Sequence, residues 1–71
     1  MADIVLRLVR ECNSAREQGI DFSTIWQTTL KRHSYVAGRP LHHQNEAGPA
    51  IMVPLITGRH LIFDASGFRL G

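Results

Sequence analysis

The chain has 71 residues, of which 44% are hydrophobic and 20% are charged, as in ordinary globular proteins. This length predicts one small domain over residues 1–71, and it excludes a multidomain enzyme, a dinucleotide-binding fold and a repeat array. Eight Lys and Arg residues oppose six Asp and Glu residues, which gives a net charge of +2. The excess is local, because residues 22–45 contain three Lys and Arg side chains and no acidic one.

Composition also limits how the domain can be stabilised and where it can reside. Cys12 is the only cysteine, so neither an intramolecular disulfide nor a four-cysteine zinc site can form. A lone cysteine in a helical apolar pattern is typical of a small buried side chain. Residues 1–10 lack the features of a signal peptide, and no segment has the roughly 20 apolar residues that span a bilayer. We therefore expect a cytoplasmic protein that makes no membrane contact.

The first half of the chain has the apolar spacing of two helices. Asp3 is the predicted N-cap of the first helix, and Gly19 is the predicted glycine at its C-terminal end. Asp21 is the predicted N-cap of the second helix, flanked by Ile20 and Ile25 as a hydrophobic staple. About two residues separate the helices, which favours an antiparallel hairpin. The two apolar arcs consist of Ile4, Val5, Leu8, Val9, Cys12 and Ala15, and of Phe22, Ile25, Trp26, Thr29, Leu30 and His33.

The second half of the chain has the apolar period of strands. Residues 34–49 are irregular and rich in Gly and Pro, with a short strand allowed near residues 41–43. Residues 51–56 and 59–63 predict a β-hairpin, and residues 68–70 can add a last strand. Pro54 lacks an N–H group and should face a sheet edge. We therefore predict an α+β fold in which an N-terminal helical hairpin packs on a small antiparallel sheet.

The predicted core combines one face of each helix with one face of the hairpin. Leu6 lies beside the apolar face of the first helix, either as an exposed side chain or as a partner contact. The core prediction comprises Val5, Leu8, Val9, Cys12, Phe22, Ile25, Trp26, Leu30, Val53, Leu55 and Phe63.

The hairpin has more apolar surface than one helical layer can cover. A two-residue turn at residues 57–58 makes both faces mainly apolar, whereas a one-residue change in turn length gives one apolar face and one mixed face. On that mixed face Met52, Ile56 and Ile62 still lie together. Surplus apolar surface in so small a chain indicates self-association or a protein partner. We expect a non-enzymatic interaction domain, as a homodimer or a docking subunit, with these three residues at the contact.

The basic middle of the chain supports an alternative hypothesis. Lys31, Arg32, Arg39, His42 and His43 can form a phosphate-binding surface for nucleic acid. Three fixed charges are few for this purpose, and a charge run of this size is more often a solvated face.

Metal binding and catalysis are not expected. His42 and His43 are adjacent, so in a strand they point to opposite faces and cannot readily share one ion. The sequence has no glycine-rich phosphate loop, no Gly-x-Ser-x-Gly motif and no carboxylate pair placed for acid–base chemistry. We expect no cofactor.

Two sets of residues resemble known families. Residues 21–26, 31–33, 36–38, 53–58 and 61–64 are similar to short bacterial proteins of unassigned activity, a resemblance that implies no function. His42-His43, followed ten residues later by Val53-Pro54, resembles the HicA-type RNA-cleaving toxins. In that family a histidine before the central strands is catalytic, so the resemblance implies an RNA-acting toxin as a form of the nucleic-acid hypothesis. Residues 39–41 replace that family's Gly-Ser approach to the histidine, and the first helix is additional.

Overall fold

The computed structural model describes residues 3–71 and has an α+β architecture. A helical part comes first and a four-stranded antiparallel sheet follows, which confirms the predicted fold class. In chain order the elements are α1 (Ile4–Glu17), α2 (Phe22–Thr28), a 3₁₀ turn (Leu30–Arg32), β1 (Leu41–Asn45), β2 (Gly48–Pro54), β3 (His60–Asp64) and β4 (Gly67–Leu70).

The helix α1 has no side-chain cap at its N-terminus, and backbone hydrogen bonds cap its C-terminus. Asp3 occupies the N-cap position as predicted, and its carbonyl accepts from Arg7 N–H at 2.9 Å, but its side chain makes no capping hydrogen bond. At the other end, Gly19 N–H donates to the Arg16 carbonyl at 2.9 Å and Ile20 N–H donates to the Ala15 carbonyl at 3.1 Å. This pair of bonds is a Schellman motif, and Gly19 has the positive φ of 86° that the motif requires.

The helix α2 is capped as predicted but is shorter than predicted. Thr24 N–H donates to Asp21 Oδ1 at 2.9 Å, and hydrogen bonds from Thr24 hold the pKa of Asp21 below its usual value. The helix ends at Thr28, whose hydroxyl donates to the Thr24 carbonyl at 2.8 Å. The chain continues as the 3₁₀ turn, so His33 lies in extended backbone and not on a helical arc. Its Nδ1 accepts a hydrogen bond from Tyr35 N–H.

The sheet is a meander in the order β1-β2-β3-β4. Val53 lies opposite Leu61, so Leu55 lies opposite Arg59 and a loop of three residues (56–58) joins that pair. The turn therefore differs by one residue from the two-residue turn, which is the change that regroups the faces. Gly58 has a φ of 88° and its N–H donates to the Leu55 carbonyl at 3.0 Å, which is typical of a three-residue hairpin loop. Arg59 carbonyl accepts from Leu55 N–H and closes the loop.

The segment before β1 extends the sheet beyond the end of that strand. Val36 bridges to Leu55, and Ala37 N–H donates to the Pro54 carbonyl at 2.8 Å. Because the N–H and C=O of a strand residue point to the same side, the missing N–H of Pro54 also lies on this side. Pro54 therefore leaves its pairing with His60 in β3 undisturbed, and β1 pairs with β2 only as far as Met52.

The core lies between the helices and one face of the sheet, the inner face. Six predicted core residues are buried, and Leu61 and Phe68 are buried although they were not predicted. Five predicted core residues are only partly buried, namely Val5, Val9, Phe22, Trp26 and Phe63. The ring of Phe22 lies 5.3 Å from that of Phe63 and 6.0 Å from that of Phe68. This aromatic cluster attaches α2 to the inner face, while α1 packs against β4.

Candidate functional site

The outer face of the sheet, opposite the helical layer, carries an apolar row. Leu41, Met52 and Ile62 are direct cross-strand neighbours on β1, β2 and β3. Met52 and Ile62 are half-buried, and Leu41 is 58% exposed. Among the described residues no helix lies over this row, because the helices pack on the inner face.

Of the three predicted partner contacts, two belong to this apolar row and one lies at its end. Met52 and Ile62 are paired across β2 and β3. Ile56 follows β2 in the loop and is 60% exposed, the highest value among the large exposed hydrophobic side chains of the described residues. Side chains alternate along a strand, so Met52, Pro54 and Ile56 point to the same side of the chain. These three residues therefore form one continuous stripe.

A charged pair borders the apolar row on the far side. Arg69 lies opposite Ile62 on β4, and its guanidinium contacts the Asp64 carboxylate. The hydrogen bond from Arg69, with those from Ser66, lowers the pKa of Asp64 to about 2. An apolar centre with a polar rim is the composition of protein interfaces.

One edge of the sheet is closed by a helix side chain. Asn13 on α1 donates from Nδ2 to the Phe68 carbonyl at 3.0 Å and accepts from Phe68 N–H at 2.8 Å. The amide thus occupies the outward hydrogen-bonding groups of Phe68, in the middle of β4, as a neighbouring strand would. Arg16 adds a bond from its guanidinium to the Ala65 carbonyl at 2.9 Å. The β4 edge is therefore protected from pairing with another chain.

The other edge, at β1, has no neighbouring strand among residues 3–71. All five of its side chains are exposed. Leu55 N–H donates to the Arg59 carbonyl, so the backbone groups of Leu55 point toward β3. Backbone N–H and C=O groups of successive strand residues point to opposite sides, so those of Met52 point toward β1. Met52 lies opposite Leu41, so the backbone groups of Leu41, His43 and Asn45 form the hydrogen bonds to β2. The N–H and C=O groups of His42 and Gln44 then point outward, available to a further strand.

The basic residues of the alternative hypothesis are brought together in part. Lys31, Arg39 and His42 line one cavity between α2 and β1, and Trp26 lines the same cavity. Arg32 does not line it. His43 also lies outside this cavity and, as predicted for adjacent strand residues, on the other face from His42.

Two further observations concern the cysteine thiol and the metal-ligating side chains. Burial, with the charge of Glu11, raises the pKa of the Cys12 thiol to about 12, so Cys12 stays protonated at neutral pH. Within residues 3–71 no three His, Cys, Asp or Glu side chains are grouped to hold a metal ion.

The sequence analysis missed two features of the candidate site, namely the edge contact of Asn13 and the aromatic part of the cavity. An Asn inside a helix is unfavourable unless its amide has a partner, so its position on α1 was the available signal. Trp26 and Phe22 were assigned to the core because they lie on the apolar arc of α2. Periodicity indicates which side of a helix faces the protein, and it does not indicate how completely that side is covered.

Comparison with known proteins adds no constraint. No protein-family model matches the chain, and neither the curated proteins nor the solved structures include a significant match. The two resemblances found in the sequence remain predictions. No helix of residues 3–71 is long and apolar enough to cross a membrane.

Proposed function

We propose that this chain is a non-enzymatic, cytoplasmic protein-interaction domain and that its partner is a second copy of itself. The observation that carries the proposal is the apolar row of Leu41, Met52 and Ile62, which aligns across three strands on the face without helices. Packing of two such rows would remove apolar surface from water on both copies. A contact between identical surfaces closes as a twofold dimer, the commonest form of self-association.

Sedimentation velocity over a range of concentrations tests this proposal. We expect the wild type to form a dimer, and Met52→Lys and Ile56→Lys to remain monomeric, because each places a charge in the interface and not in the core. Leu6→Lys is the matched control, since Leu6 is 45% exposed on α1, away from the outer face. Circular dichroism of each variant checks that the monomer is folded. A wild type that stays monomeric at millimolar concentration, or a Met52→Lys variant that dimerises normally, would contradict the proposal.

The open β1 edge favours a second geometry for the same association. Two copies of β1 can pair antiparallel around a twofold axis at His43. This register places His42 of each copy opposite Gln44 of the other, so all four outward groups are paired. It also places the two His43 residues opposite each other as a non-hydrogen-bonded pair, with Cα atoms about 4.5 Å apart.

A cysteine cross-link distinguishes the edge geometry from packing of the outer faces. In a Cys12→Ala background, His43→Cys should oxidise to a covalent dimer, because a Cα separation near 4.5 Å suits a disulfide. His42→Cys is the control, since His42 would face Gln44 of the second copy and not its own counterpart. A dimer that is sensitive to Met52→Lys but gives no cross-link at position 43 would assign the contact to the outer faces.

A further inference from the structure

The helices leave part of the inner face open near β1. Two adjoining cavities of about 620 and 670 Å³ lie there, and they share His42 and Ile51. The larger one lies between α2 and β1, and the smaller one continues along the strands toward Arg16. Together they form a groove across one end of the inner face, on the opposite side of the sheet from the apolar row.

The groove combines aromatic rings with unpaired positive charge. Trp26 and Phe22, both half-buried, line the larger cavity on the α2 side. Lys31 and Arg39, both exposed, line it together with His42, and none of its lining residues is acidic. Among residues 3–71 the one ion pair joins Arg69 to Asp64, so neither Lys31 nor Arg39 is neutralised by a salt bridge.

We propose that this groove binds single-stranded nucleic acid. A base can stack on the exposed part of Trp26, and stacking on aromatic side chains is the main sequence-independent contact with single strands. The flanking phosphates would then reach Lys31 and Arg39. A duplex offers no free base face for such stacking, which makes the unpaired strand the better ligand. The adjoining cavity has Arg16 at its border and allows the strand to continue beyond the first nucleotide. Asp64, the one acidic residue of its lining, is paired with Arg69.

The fluorescence of Trp26 is a direct probe, because Trp26 is the only tryptophan in the chain. We expect 12-residue oligo-dT and oligo-U to quench it saturably at 50 mM KCl. Two or three phosphate contacts at a slope of about −0.7 each predict a loss of affinity of roughly 7- to 18-fold between 50 and 200 mM KCl. Comparing the two oligomers shows whether the groove distinguishes DNA from RNA.

Charge-reversal variants localise the binding. Arg39→Glu and Lys31→Glu should each weaken the oligonucleotide affinity at least tenfold, and both side chains are exposed, so the fold should tolerate the change. Arg10→Glu is the matched control: it changes the net charge equally on an exposed position of α1 that lines neither cavity. We expect it to alter the affinity by no more than about twofold. Anisotropy of a labelled oligomer extends the test to Trp26→Ala, which should bind at least tenfold more weakly.

Four results would overturn the proposal. The first is the absence of quenching and of an anisotropy change at 50 mM KCl. The second is equal weakening by Arg10→Glu and Arg39→Glu, which would indicate general attraction to a basic protein. The third is equal competition by polyglutamate, which would make the groove a site for acidic protein segments. The fourth is equal affinity for uridine monophosphate and the 12-residue oligomer, which would make it a mononucleotide site.

Discussion

Cys12 is fully buried in the core, and its thiol has the most strongly raised pKa among the groups with a resolved shift. Desolvation keeps the folded-state thiol neutral to about pH 12, whereas an exposed thiol ionises near pH 9.0. The unfolded chain therefore loses this proton first as the pH rises. The stability that comes from Cys12 is fully present below pH 9 and declines between pH 9 and 12.

This linkage predicts a specific alkaline destabilisation. The free energy of unfolding from urea titrations should fall more between pH 8 and pH 10.5 in the wild type than in Cys12→Ala. All other titratable groups are present in both proteins and cancel in the comparison. Parallel declines in the two proteins would show that the thiol ionises without unfolding.

The side-chain amide of Asn13 links α1 to the β4 edge, so replacing Asn13 should lower the free energy of unfolding. Asn13→Ala would leave both backbone groups of Phe68 without their partners. We expect a loss of about 1–3 kcal/mol of unfolding free energy in urea titrations, the range for two partly buried hydrogen bonds. Hydrogen exchange of the Phe68 N–H should also accelerate. Ser14→Ala, on an exposed position of the same helix, should change stability by less than about 0.5 kcal/mol, and an equal loss in both variants would refute this role of Asn13.

The β2–β3 hairpin shows what the sequence could predict, namely its strands, and what it could not, namely the length of its loop. The alternation of apolar residues was enough to predict both strands of the hairpin. The pair Thr57-Gly58, however, is compatible with a two-residue and a three-residue loop. Since one residue of slip exchanges the faces of a strand, the loop length decided whether Leu61 would be buried. Gly58, at the third loop position, adopts a positive φ, which favours the three-residue loop.

The helix α2 shows the same limit for a different reason. Its apolar arc continues to His33, but the regular helix ends at Thr28. Thr28 and Thr29 are β-branched, and the hydroxyl of Thr28 bonds back to the preceding turn, so the local preference for helix is weak there. Periodicity records which residues can face the protein, and it does not include this competition between side chain and backbone.

Two glycines in the hairpins should differ in their sensitivity to substitution. Gly58 has a φ of 88° and open space at its Cβ position, so Gly58→Ala should cost about 1 kcal/mol of conformational strain. Gly67 has a φ of 110°, and an added Cβ would lie 2.8 Å from Asn13 Oδ1. Gly67→Ala should therefore add the loss of the Asn13 contact to the strain. Urea titrations should show a loss at least twice as large for Gly67→Ala, and equal losses would mean that α1 can move aside.

The helical layer is too small to cover the whole inner face of the sheet. The longer helix, α1, packs against β4, so the rest of the inner face is left to α2. The seven residues of α2 extend only about 10 Å, whereas the first and last of the four strands are about 15 Å apart. The helices therefore cover β3 and β4 and leave the β1 side of the inner face open. The sequence could indicate that Lys31, Arg39 and His42 belong to one basic segment. It could not indicate that Trp26 would join them, because that depends on where α2 ends and how it lies on the sheet.

The two proposed surfaces lie on opposite faces of one sheet, which makes their separation testable. Met52 and Ile51 are adjacent in β2, but their side chains point to the outer face and to the groove, respectively. We expect Met52→Lys to abolish self-association and leave the oligonucleotide affinity within about twofold of the wild type. Arg39→Glu should have the reverse effect. Energies of distant, independent sites add, so the double variant should show the sum of both losses.

This expectation assumes that self-association uses the outer faces of the sheet. Pairing through the β1 edge predicts a different result. Pairing through the β1 edge would place a second copy beside His42, at the border of the groove. Oligonucleotide binding and self-association would then be coupled, with each changing the apparent affinity of the other by the same factor. Sedimentation with and without a saturating oligomer distinguishes the two arrangements. An unchanged dimerisation constant indicates contact through Met52 and Ile62, whereas a shifted constant indicates that strand pairing and the groove meet at β1.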